Sequence, residues 1–320
     1  MENSLEANRL KFFPIMMYAI VMGLSGLTIT YQKAALWLGF PAILGEILMY
    51  ATTLVFFIVS FIYVRKTLTY KMAVVNEFSH PIRINFFAAI SISMLMLAII
   101  YREEFPLISA LFWYPGTIFH FYLTMYTISF WINKNQQLDH SNPAWFIPIV
   151  GNVLVPVGGM GFVDIDILIY FFSVGIFFWI ILFSVILNRI IFHNQMAVKF
   201  MPTLFILIAP PAVGFIAYFK MFGVVDTFAL FLFNLALFFT LLILFMYKNF
   251  IKIKFFISWW AFVFPIAAMA ISAMLMYHIK GTLFFEILSY VMVAATTIII
   301  LIVAYQTIVH IGKKEICIQE

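Results

Sequence analysis

Side chains able to do acid–base, nucleophilic or metal chemistry are few in this chain and poorly placed for it. Of six histidines, only His120 lies deep within an apolar stretch, while His80, His140, His193, His278 and His310 sit at or beyond the ends of such stretches. Haem ligation inside a bundle needs imidazoles presented within its helices, and no such pair is evident. His120 is therefore expected to be a hydrogen-bonded packing residue. Neither an HExxH nor a GxSxG signature occurs. The lone cysteine, Cys317, lies in the C-terminal tail and cannot form an internal disulfide. The residues thus predict no enzyme, no cofactor and no metal site.

The charges narrow the chemistry further. No Lys or Arg falls in the central part of an apolar stretch, and the acids within such stretches, Glu46 and Glu286, lie near their ends, where snorkelling or pairing is the expected role. A cation pathway would carry acidic rings, and a strongly binding anion site would carry a buried Arg; neither pattern is present. What remains is weak solvation along a neutral path, by polar groups such as Ser25, Asn152 and Ser272 and by helix-end dipoles.

Elements that could hold such a path follow from composition. The 320 residues are 65% hydrophobic and 10% charged, with a mean hydropathy of +1.10, against about 45–50% and about 25% in soluble domains. Lipid must be the solvent for most of the chain, and backbone groups in lipid are satisfied only within helices or closed barrels. Long unbroken apolar runs, such as 167 to 187 and 228 to 247, favour helices. The first run follows Glu2, Glu6, Arg9 and Lys11 and lacks a convincing cleavage site, so it reads as a retained helix. One transmembrane domain, 1–320, is expected.

Polar loops and prolines divide the chain into ten spans: 14 to 31, 42 to 64, 84 to 101, 107 to 131, 145 to 160, 167 to 187, 202 to 219, 227 to 247, 255 to 277 and 282 to 309. Alternate loops then hold unequal charge. Arg9, Lys11, Arg65, Lys66, Lys71, Arg83, Lys134, Arg189, Lys199, Lys248, Lys252, Lys254, Lys313 and Lys314 fall on one side; Lys33, Arg102, Lys220 and Lys280 fall on the other. Lys and Arg concentrate in cytoplasmic loops, so both termini are expected in the cytoplasm and the protein in the cell (inner or plasma) membrane. The formal charge of +5 is thereby explained without a nucleic-acid partner. Trp37, Trp113, Trp131, Trp145, Trp259 and Trp260 lie near proposed span ends, as interfacial anchors would, whereas Trp179 is mid-span. Short links such as 102 to 106 and 278 to 281 make five helical hairpins in series.

Odd and even spans carry different residues. Span one has Ala19, Gly23, Ser25, Gly26 and Thr30; span three Ala89, Ser91 and Ser93; span five Pro148, Gly151, Asn152 and Pro156; span seven Pro210, Pro211 and Gly214; span nine Ala261, Pro265, Ala268 and Ser272. Even spans are bulky, as in Phe171, Phe172, Phe177, Phe178 and Trp179 of span six. Small and kinking residues admit close packing or leave space around a wet cavity. Any one stripe reads most simply as helix packing; their recurrence in alternate spans predicts an all-α membrane protein with an inner pore ring of odd helices and an outer ring of even ones.

Six segments carry a family resemblance: 22–26 (MGLSG), 77–83 (EFSHPIR), 148–152 (PIVGN), 209–213 (APPAV), 225–227 (VDT) and 260–265 (WAFVFP). In order along nearly the whole chain, they resemble the tellurite-resistance/dicarboxylate transporter family, which includes the bacterial tellurite-resistance anion channel, the plant guard-cell slow anion channel and fungal malate and sulfite exporters. The resemblance implies ten helices, a pore within the odd ones, a homotrimer with one pore per subunit, and a phenylalanine plug whose counterpart is Phe264, followed by Pro265. Phe262, about 200° away around a helix, is expected to pack. Implied partners are small anions and membrane lipid. A gated passive channel for small inorganic anions such as chloride or nitrate is the leading expectation. A secondary carrier or exporter of dicarboxylates such as malate, of sulfite or of tellurite stays open, as does a receptor or scaffold that transports nothing.

Overall fold

The computed structural model describes residues 9–318, with Glu2 and Glu6 outside that range. Among the described residues the protein is nearly all helical, 84% helix and no strand. A helical segment lies at each apolar stretch: α1 Ile15–Leu38, α2 Ala42–Thr69, α3 Arg83–Tyr101, α4 Pro106–Asn133, α5 Pro143–Gly159, α6 Ile165–Phe192, α7 Val198–Phe222, α8 Thr227–Phe245, α9 Ile257–Lys280 and α10 Leu283–Gly312. Eight of these are long and apolar enough to cross a membrane, and α4 and α5 are not. Eight of the ten expected spans thus have the length and apolarity of a crossing. In α4 the buried Ser109, Thr117, His120, Thr124 and Thr127 dilute the apolar run. α5 is shorter than the roughly 20 residues a crossing takes, and it alternates between 3-10 and α turns around Pro148, Gly151 and Pro156.

Burial separates the helices into two classes. In α1, α3, α7 and α9, 61–83% of the most apolar stretch is buried, against 28–39% in α2, α6, α8 and α10. Every residue of α5 is buried. Packing follows the same division: α1 lies on α3, α3 on α5, α5 on α7, α7 on α9 and α9 on α1, which closes a five-membered cycle, and each of these five also packs on the helix that follows it. Exposed Leu54, Phe61, Leu111, Phe177, Leu241 and Leu301 lie on the even helices, the side chains that lipid would cover.

The odd helices also differ in how they begin. Each starts with 3-10 turns, at Ile15–Met17, Arg83–Phe87, Pro143–Phe146, Val198–Ile208 and Ile257–Phe262, while the even helices are α from their first residue. Such runs rarely exceed three or four residues; the one in α7 has 11 and contains Pro202. At their other ends, α1, α7 and α9 stop at Gly39, Gly223 and Gly281, with φ of 73°, 68° and 62°. Only glycine adopts that conformation cheaply, so the chain reverses sharply into the next helix.

A buried ion pair anchors the start of α1. The sequence places Lys66 in a charged loop, but α2 runs on to Thr69 and leaves Lys66 3% exposed and Glu77 4% exposed. Lys66 Nζ lies 2.6 Å from Glu77 Oε2 and donates to the Phe13 carbonyl at 2.8 Å. Glu77 also accepts the Ile15 N–H at 2.7 Å and the Tyr63 hydroxyl at 3.0 Å. Burial without loss of charge is possible because the carboxylate gathers three donors.

Beside this pair, at the end where the odd helices start, opens a basin of about 970 Å³, bordered by Lys11, Arg83, Lys199 and Lys254 and by the C-terminal Ile316, Cys317 and Ile318. Burial pushes the Cys317 thiol up to about 11, with Arg9 and Lys66 opposing the shift. At pH 8 alkylation by iodoacetamide should therefore run about two orders of magnitude slower than for a free thiol, whose pKa is about 8.5. The rate should climb about tenfold per pH unit up to about pH 11. Mass spectrometry of the chain, which has one cysteine, reads this directly; a rate that levels off near pH 9 would contradict it.

Candidate functional site

At the centre of the five-helix cycle lies a cavity of about 70 Å³, room for a few water-sized molecules. All its lining residues come from odd helices: among them Ala19 and Met22 of α1, Phe86 and Ile92 of α3, Phe146 and Gly151 of α5, Pro210 and Val213 of α7, and Trp260, Phe264 and Pro265 of α9. Its surface is almost wholly apolar, so it holds no fixed site for a charge. The sequence predicts an uncharged path solvated by Ser25, Asn152 and Ser272, and none of these three lines the cavity. Asn152 donates to Thr124 Oγ1 at 2.9 Å and to the Ile149 carbonyl at 2.8 Å, and Ser272 donates to the carbonyls of Ala268 and Ala212. Both side chains tie helices together outside the cavity. Ser25 is fully buried and does not line it either.

Small residues set how close the walls come. A Cβ on Gly23 would stand 2.8 Å from Trp260 Cε3, and one on Gly26 would stand 2.9 Å from Ala267 Cβ and 3.6 Å from Phe264 Cδ2. These two glycines seat α9 against α1. Gly151 does the same between α5 and α4, where a Cβ would fall 2.3 Å from His120 Cε1 and 2.9 Å from Ile92 Cδ1. His120 is fully buried, and its Nδ1 shares a 2.9 Å hydrogen bond with Ser91 Oγ. Gly151→Ala should consequently cost about 1–3 kcal/mol, the usual range for overpacking. Pairing it with His120→Ser should return part of the loss, measured as the thermal unfolding midpoint in detergent; no recovery would show that the clash lies elsewhere.

Of the residues singled out from sequence, Gly151, Pro210, Phe264 and Pro265 line the cavity together with Ala19, Ala89 and Ala261, while Gly23 and Gly26 support its wall. Gly214 does not: a Cβ there would meet Ile176 and Leu232, so it faces the outer helices α6 and α8. Ser91 is turned to His120, and Pro156 and Ala268 are buried away from the cavity. Sequence reasoning missed Phe86, Phe146 and Trp260. These aromatics lie about one turn before the small and kinking residues that mark the odd helices, and the place of Trp260 near a span end suggests an interfacial anchor. Trp113, Trp145 and Trp260 are instead 2–7% exposed; Trp260 donates to Thr307 Oγ1 at 3.0 Å.

Phe262 and Phe264 are sorted by their surroundings. Phe262 packs its ring 4.5 Å from Phe205 and 5.8 Å from Trp259, centre to centre. Phe264 is half-buried and, among the described residues, stacks on no other ring. One ring is pinned among aromatics, and the other packs in the apolar wall beside the cavity.

Comparison with known proteins agrees over most of the chain. The family model described as voltage-dependent anion channel, SLAC1, matches residues 12–308. An uncharacterized transporter of Methanocaldococcus jannaschii is 27% identical over 88% of this chain and 89% of its own length. The S-type anion channel SLAH2 of Arabidopsis thaliana is 30% identical over 93% of this chain but 59% of its own. A tellurite resistance protein TehA homolog of Haemophilus influenzae is 26% identical over 82% and 80%.

Proposed function

The chain belongs to the voltage-dependent anion channel family that includes the S-type channels and the tellurite resistance protein, and from that premise we propose that it is a gated, passive channel for small inorganic anions. One observation carries the reading: the central cavity is walled by the five odd helices alone, and of the aromatic rings in that wall Phe86, Phe146 and Trp260 are buried while Phe264 is only half-buried. In this reading the chain crosses the cell membrane ten times with both termini in the cytoplasm. α4 crosses by virtue of its 28 residues, and α5 does so inside a protein sheath, where short and broken helices are tolerated. Phe264 plugs the path, and anions pass when it swings aside. Subunits assemble as homotrimers, each with its own pore.

An apolar constriction is suited to gating, because a narrow hydrophobic segment empties of water and an ion cannot enter dry. A substrate-coupled carrier would need polar or charged groups at mid-membrane, and the cavity wall supplies none. Relatives named as transporters keep the carrier reading worth separating. Reconstitution into liposomes with chloride and nitrate gradients does so. Reversal potentials that follow the anion gradient, with flux independent of a proton gradient, are expected. Flux that saturates at low substrate and follows a proton gradient would establish a carrier of dicarboxylates, sulfite or tellurite instead.

A further inference from the structure

The cavity is neutral, yet three of the few basic residues on the sparsely charged side of the protein gather where the odd helices end. Lys33 belongs to the last turns of α1, Arg102 directly follows α3, and Lys220 lies in the last turn of α7. Lys33 is 14% exposed and lies 2.5 Å from Glu103 Oε1. Arg102 donates to the Met160 carbonyl just beyond α5, with its guanidinium 3.8 Å from the centre of the Phe162 ring. Lys220 is half-buried and interacts electrostatically with Lys33, Arg102 and Glu103 together. Among the described residues it makes no hydrogen bond. The Glu103 carboxylate is thus bonded to Lys33 and within electrostatic reach of Lys220, which in turn feels Arg102.

Glu103 is outside the helices and 59% exposed. Burial raises its carboxyl, but the hydrogen bond and charge of Lys33, with Lys220 beyond, outweigh this and hold it below the usual range. It is ionised at neutral pH and cancels only part of the local positive charge. A cationic concavity with low-dielectric walls raises the local concentration of anions and their rate of entry. Capping of helix C-termini by cations explains each residue singly. It does not explain why the cations at the ends of three helices lie within electrostatic reach of Lys220, with Glu103 among them.

We propose that Lys33, Arg102 and Lys220 form a binding site for small anions at this mouth, extracytoplasmic in the orientation proposed above, and that the Glu103 carboxylate is its tethered competitor. The site rests on the channel reading for its role in permeation, though not for its ability to bind. Anions arriving from that side take the place of Glu103 beside Lys220 before they meet the apolar constriction.

The test uses the full chain carrying Phe264→Ala in planar bilayers, with chloride titrated on one side at a time. Lys220→Gln should raise the half-saturating chloride on the extracytoplasmic side by roughly three- to tenfold, the effect of one unit charge several ångström away at an intermediate dielectric. Glu103→Gln should lower it by a similar factor, and neither should alter titration from the other side. Both effects should shrink at high ionic strength. Unchanged half-saturation in both variants, with current present, would overturn the site and leave the channel intact. If Phe264→Ala passes no current, the channel reading fails while the site is still decided by binding. Nitrate at matched ionic strength should then raise the unfolding midpoint of the parent more than that of Lys220→Gln, and equal shifts would overturn it. A capping role alone would lower stability in Lys220→Gln without moving half-saturation or the nitrate shift.

Discussion

Phe264→Ala should raise anion conductance by about ten- to a hundredfold. A phenylalanine ring packed in an apolar wall holds its position with roughly 1.5–3 kcal/mol of burial, and removing it takes that much from the closed arrangement, at about 1.4 kcal/mol per tenfold in population. The apolar wall also retreats by one ring, which lets water bridge the constriction. Phe262→Ala supplies the contrast. Its ring is held among Phe205, Phe250 and Trp259, so this variant should lose stability and gain no current. Single-channel or liposome flux measurements on both proteins decide the matter: equal currents from Phe264→Ala and the parent, with each folded and inserted, would remove the plug from this residue.

Glu77→Ala should be the most destabilising single change away from the pore, by about 3–5 kcal/mol, the cost of leaving one partner of a buried pair without the other. The carboxylate serves Lys66, the Tyr63 hydroxyl and the first N–H of α1, and Lys66 would be left 3% exposed with only the Phe13 carbonyl. Glu77→Gln keeps the shape and an acceptor but not the charge, so it should recover only a part. Removing both charges with Lys66→Met and Glu77→Leu should cost less than Glu77→Ala alone. Thermal unfolding of the four proteins checks this ordering; a double variant less stable than the single would show that the pair adds net stability.

How much of this could be read beforehand differs between helix and site. Apolar runs and loop charges located a helix at every stretch because hydropathy reports length and solvent directly. They treated α4 and α5 as ordinary spans, since a proline or histidine in an apolar run does not announce how far it dilutes that run. Phe264 was legible only through the family resemblance: one phenylalanine among 40 has no periodicity of its own. Asn152 and Ser272 were hard to place for a different reason. Polar side chains in a helix of an apolar bundle suggest a wet face, but here both donate to groups on neighbouring helices, and sequence does not reveal which neighbour is near. The Lys66–Glu77 contact and the cluster at Glu103 join residues from separate elements, and only the folded chain brings them together.

α4 and α5 stand next to each other in the chain, and they differ from the other eight helices, α4 by its weaker apolarity over 28 residues and α5 by its shortness. Membrane insertion during synthesis tests each segment for its own affinity for lipid. In the ten-crossing arrangement this middle pair cannot pass that test alone, and their entry must be carried by α3 before them and α6 after them. Assembly of the protein therefore hinges on its centre: a nascent chain halted before α6 should leave α5 on the wrong side of the bilayer, whereas one halted after α6 should hold it in place.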